Sequence, residues 1–163
     1  MDDVDRIVAQ WAQERPELQT EAMAVFGRIY RLAKVLGDRQ EKAYGALGIN
    51  RGEFDVLATL RRAGEPFQLS PKALSASLML TTGGMTGRLD RLERAGLVSR
   101  SPDPDDRRGL VITLSPRGRE VVDDAVVAGL DAQREVLERL PEPSRRRLSA
   151  LLRDLLAATD APG

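Results

Sequence analysis

Residues able to grip a polyanion are gathered in the second half of the chain. Eight arginines fall between Arg88 and Arg119. Two of them, Arg107 and Arg108, follow Asp106 in the Pro- and Asp-rich stretch 102–109, which can only be a loop. Upstream, the run Thr81-Thr82-Gly83-Gly84-Met85-Thr86 places hydroxyls and bare backbone close together at what reads as a helix start. Free amides at such a start suit a phosphate. Gly83 and Gly84 let the backbone approach closely, and Thr82 and Thr86 offer hydroxyls to bases or phosphates. Glycines in a helix cost about 1 kcal/mol each relative to alanine, so two at a helix start are poorly explained by stability. A loop arginine can enter the minor groove of DNA, whose negative potential attracts it, with Asp106 holding one guanidinium in place. A solvated charge run is the ordinary explanation of such a cluster; its place at a hairpin tip favours the contact.

Other chemistries are bounded by what is missing. The 163 residues include no Cys and no His. Disulfides, thiolate metal sites and the commonest general base are therefore excluded. No carboxylate pair, phosphate loop or metal-ligand spacing stands out, so the chain is not expected to be an enzyme or to need a cofactor. The acidic start Asp2-Asp3-Val4-Asp5 lacks the apolar stretch of a signal peptide, and no apolar run approaches the roughly 18 residues of a membrane span. A cytoplasmic location follows as the expectation. Net charge is zero, so any DNA-binding face must come from the distribution of charge rather than its sum.

The positioning elements can be read from periodicity and caps. A short apolar-containing segment (Ile7, Val8, Trp11) ends at Pro16, and a long helix runs from Thr20 to about Gly45 with the stripe Ala22, Phe26, Ile29, Ala33, Leu36. Asn50 and Glu53 form a capping box for a helix through Leu60, with Ile49 and Phe54 as a staple. Ser70-Pro71 opens a helix to Leu78, and Thr81 one to Ala95, closed by Gly96. Ser70, Lys72 and Ser75 on the first of these could hold DNA backbone, although Ser70 is equally explained as a cap. Residues 97–100 and 110–114 are strand-like, and two further helices follow from Ser115 and after Pro143. The layout is mainly α with a small β-hairpin wing, a winged helix-turn-helix. Residues 1–48 and 116–163 are expected to be dimerisation helices and 49–115 the DNA-binding domain. Their apolar stripes lie outside the reading head and want a second copy. Two-fold symmetry would then call for a near-palindromic operator on double-stranded DNA. A helical protein-interaction module is the rival, and it leaves the basic-tipped hairpin unexplained.

This order, together with Leu89-Asp90-Arg91-Leu92-Glu93-Arg94-Ala95-Gly96-Leu97-Val98, Asp105-Asp106-Arg107-Arg108 and Leu114-Ser115-Pro116-Arg117-Gly118, resembles the MarR family of transcriptional regulators. The resemblance implies a homodimer with intertwined terminal helices, a repressor role, and Arg108 as the inserted wing side chain positioned by Asp106. A narrower resemblance, carried by Trp11, Glu53-Phe54-Asp55-Val56-Leu57, Met85-Thr86-Gly87-Arg88 and Ser99-Arg100, is to the family's urate-responsive branch. It implies a ligand-response set of Trp11, Asp55, Arg88 and Arg100. Asp55 would pair with Arg88, and Arg100 would hold an anionic aromatic effector stacked near Trp11. Glu17-Leu18-Gln19 departs from that branch, where Asp would flank the Leu.

Overall fold

The computed structural model describes residues 1–78, 82–104 and 109–159, with Thr82 and Gly83 described by backbone alone. Thr81, Asp106, Arg107 and Arg108 lie outside the described residues. The chain divides into two compact units, 1–42 and 43–163.

The first unit holds α1 (Asp3–Glu14) and most of α2 (Glu21–Gly45). The segment expected only as a short apolar stretch is thus a full helix, and its cap explains why. The Asp2 carboxylate accepts the Val4 and Asp5 amides at 2.8 and 2.9 Å, and Asp5 accepts the Asp2 amide at 2.8 Å. Val4 is buried against α2 at Gly27, where a Cβ would stand 3.0 Å from Val4 Cγ1. Around that contact Arg28 donates to Asp2 at 2.9 Å and to Asp5, while Arg31 donates to Asp3. Each pair is well exposed and individually weak, so the clasp depends on several acting together. Trp11, Val25, Phe26, Tyr30, Leu32 and Val35 remain exposed. The stripe Ala22, Phe26, Ile29, Ala33, Leu36, expected to want a second copy, is uncovered or only half-covered here.

In the second unit the Asn50–Glu53 capping box forms as expected and starts α3 (Arg51–Arg62). Gly64, at φ +78°, turns the chain into β1 (Gln68–Leu69). Ser70 Oγ accepts the Ala73 amide at 3.2 Å and opens α4 (Pro71–Leu78). Next come α5 (Thr82–Arg94), β2 (Val98–Pro102) and β3 (Leu110–Leu114). The sheet is antiparallel in the order β1-β3-β2, with Val98 opposite Leu114 and Pro102 opposite Leu110. Leu57, Leu60, Leu74, Met85, Leu92, Ile112 and Val122 fill the core. The Phe54 ring stacks on Tyr44, centroids 4.4 Å apart and 13° from parallel.

Helix α6 (Pro116–Leu137) is bolted to the base of the hairpin. Ser115 Oγ accepts the Gly118 amide at 2.9 Å and donates to the Gly96 carbonyl at 2.7 Å. Gly118 lies so close under the Leu97 carbonyl that no side chain fits. Val122 and Ala125 are buried, whereas Val127, Leu130 and Leu137 are exposed. The last helix, α7 (Glu142–Thr159), buries nothing and exposes Leu148, Leu151, Leu152 and Leu156. Among the described residues no helix is long and apolar enough to cross a membrane.

The α1 clasp makes a pH prediction. The Asp5 amide and then Arg28 hold the Asp2 carboxyl below its ordinary value of 3.8; the Asp2 amide and Arg28 do the same for Asp5. A depressed carboxylate stabilises the folded state fully above its unfolded value, and that contribution is lost as pH falls through the lower folded value. Trp11, the chain's one Trp, reports on α1. Its fluorescence anisotropy should stay level from neutral pH down to about 4 and fall below that range; Arg28→Ala should lower it at neutral pH. An Arg28→Ala trace identical to wild type throughout would contradict the clasp.

Candidate nucleic-acid interface

Helix α5 has two sides of different chemistry. Met85, Leu89 and Leu92 recur at helical spacing and are 2%, 3% and 1% exposed, so one face is sunk in the core. Gly84 and Thr86 are exposed on the other side, at the end that begins with Thr82 and Gly83. Just before it, α4 carries Lys72 exposed, with Ser70 and Ser75 half-buried. The hairpin behind α5 is in register to Pro102–Leu110, and the Asp103 amide donates to Gly109 at 3.0 Å across its mouth. Two helices followed by a short sheet, with a small-residue helix face turned outward, define a winged helix-turn-helix reading head.

Charged residues along the flanks of α5 fix it in place. On one side Arg91 Nε donates to Glu53 Oε1 at 2.8 Å. Glu53 is 8% exposed, and its other oxygen accepts the Asn50 amide at 3.0 Å, so one side chain both caps α3 and anchors α5. Sequence reasoning found the cap and missed the anchor. On the other side Arg100, in β2, donates Nη2 to Asp90 and holds Nε 3.6 Å from Glu93, which also accepts the Arg100 amide at 3.2 Å.

The ion pair expected between Asp55 and Arg88 is replaced by a different contact. Arg88 Nη1 donates to the Gly52 carbonyl at 3.3 Å, and no Arg88–Asp55 ion pair occurs among the described residues. Gly52 lies in the first turn of α3, and the missing side chain leaves room for the guanidinium to lie over the backbone. Asp55 is half-buried on the same helix, and Trp11 lies on α1 in the other unit. Arg100 shares a cleft of about 420 Å³ with Lys72, Ser75 and Thr86, floored by Met85, Leu89, Leu110 and Ile112. The expected effector residue and three expected DNA-facing residues therefore meet in one place.

Comparison with known proteins agrees with this geometry. A family model described as the MarR family matches residues 47–109. The chain is 37% identical over 150 residues to the HTH-type transcriptional regulator PecS of Dickeya dadantii, covering 92% of this chain and 90% of that protein. It is 30% identical over 132 residues to the multiple antibiotic resistance protein MarR of Escherichia coli, covering 80% and 90%. Among solved structures, a mutant of Escherichia coli MarR complexed with operator DNA superposes with a TM-score of 0.73 at 26% identity, covering 86% of this chain and 99% of that one. The chain belongs to the MarR family: it is a DNA-binding transcriptional regulator and not an enzyme.

Since α5 is seated by its apolar face, Leu89→Ala should lower unfolding free energy by about 2–5 kcal/mol in a denaturant titration. A loss below about 1 kcal/mol would mean that Leu89 does not anchor the helix.

Proposed function

We propose that the protein is a cytoplasmic, homodimeric repressor that binds a near-palindromic operator and is released by a small anionic aromatic molecule. The outward face of α5 carries the reading. Thr82, Gly83, Gly84 and Thr86 enter the major groove, Thr81, the α4 cap Ser70 and the α4 residues Lys72 and Ser75 hold phosphates, and Arg107 and Arg108 reach the minor groove with Asp106 as positioner. Dimerisation through residues 1–48 and 116–163 is supported by the apolar side chains left exposed on α1, α2, α6 and α7. Two α5 helices then meet half-sites about one helical turn apart.

Release follows from the shared cleft. An anionic aromatic seated on its apolar floor, near Lys72 and Arg100, competes for Arg100 with Asp90 and Glu93. Because Lys72, Ser75 and Thr86 line the same cleft, occupancy and DNA engagement oppose each other, which supplies the differential binding a switch requires. Arg88, Asp55 and Trp11 are the remaining members of the response set.

The test is DNA affinity measured across a salt series for wild type and Arg108→Ala. Wild type should show a steep salt dependence. The variant should bind more weakly, with its log–log slope reduced by about 0.9, one released counterion. A well-folded Arg108→Ala protein with full affinity would contradict the wing contact. Urate or a phenolic acid should weaken wild-type binding, and Arg100→Gln should blunt that effect.

A further inference from the structure

We propose that Gly52 and Glu53, in the first turn of α3, form a two-point seat that sets the angle of α5 and so determines base-specific affinity rather than general DNA affinity. The inference rests on α5 being the helix that enters the major groove. Its apolar residues Met85, Leu89 and Leu92 lie along one line, which fixes how deep the helix sits and its broad crossing angle, within the scatter of about 15–20° that such packing allows. Polar stops are needed to fix the remaining freedom. Arg88 and Arg91, one helical turn apart on one face, reach two consecutive residues of α3. Arg91 meets the Glu53 carboxylate at 2.8 Å, and Arg88 meets the Gly52 carbonyl at 3.3 Å.

Gly52 is a residue its own helix does not require, and Glu53 has a partner beyond its cap. Gly52 has no left-handed backbone angle, and glycine is the poorest helix former after proline. What it gives is space: a Cβ there would stand 2.7 Å from Arg88 Cζ, 2.9 Å from Nη1 and 3.0 Å from Nε. The Glu53 side chain is 10% exposed, so its charge is held out of water and oriented by the Asn50 amide on one oxygen and Arg91 on the other. Hydrogen bonds to base edges are sensitive to helix angle, whereas phosphate attraction is not. A loosened seat should therefore lower affinity for the correct sequence and leave affinity for other sequences alone.

The experiment uses the full chain with two probes: the duplex that wild type selects from a randomised pool, and a scrambled duplex of equal length. Gly52→Ala should melt at or above the wild-type temperature, since only the flexible tip of Arg88 must move. It should bind the selected duplex about two- to thirtyfold more weakly, and the scrambled duplex equally, at an unchanged salt slope. Arg91→Gln should likewise bind the selected duplex more weakly and the scrambled duplex equally, also at an unchanged slope. Undiminished binding of the selected duplex by Gly52→Ala would overturn the seat. So would a lower melting temperature with equal losses on both duplexes, which marks a merely structural glycine. A drop of about one in the salt slope of Arg91→Gln would make Arg91 a phosphate contact instead. If wild type selects no duplex at all, the groove reading fails, and the seat falls with it.

Discussion

A helix that buries one face and offers the other to a partner has its orientation refined by the residues between the two faces, and in α5 several of those residues are charged. Met85, Leu89 and Leu92 give α5 its depth. Arg88 and Arg91 tie one flank to α3, while Asp90 and Glu93 tie the other to Arg100 in β2. The rest of the second unit serves these ties. The α3 cap orients Glu53, the β2–β3 pairing holds Arg100, and Gly96, Ser115 and Gly118 fasten the hairpin base to α6.

Much of the charge in this chain of zero net charge is matched within the fold. Many of its carboxylates are used internally. Asp2, Asp3 and Asp5 face Arg28 and Arg31, Glu53 faces Arg91, Asp90 and Glu93 face Arg100, and Asp123 accepts Arg61 at 2.8 Å. Arg61 and Arg119 also lie over the Phe67 ring, 5.2 and 5.1 Å from its centroid. Charges matched this way contribute little to the distant field, so the total says less about partners than the local pattern does.

Most of the element order was legible in the sequence because caps and turns carry local signals: Asn50 with Glu53, Ser115 with Pro116, and Gly96 at φ +69°. Helix α1 was hard to see because a single buried residue, Val4, anchors it and its cap sits at the second residue. The pairing of Arg88 with Asp55 came from the resemblance and not from a local signal; in the structure Arg88 reaches the Gly52 carbonyl, one turn back on α3, where no Cβ stands in the way. The Glu53–Arg91 anchor was hidden because Glu53 already had a complete local explanation as a cap. The terminal stripes were correctly seen as apolar, but a single chain leaves them largely exposed, since what covers them is not a local property of the sequence.

In the proposed function two α5 helices, one from each of two copies, read the same face of a duplex. Hydroxyl-radical footprinting on the selected duplex tests this most directly. Two protected patches on one face, separated by about one helical turn of 10–10.5 base pairs, are the predicted result. A single protected patch, or uniform protection without periodicity, would contradict it.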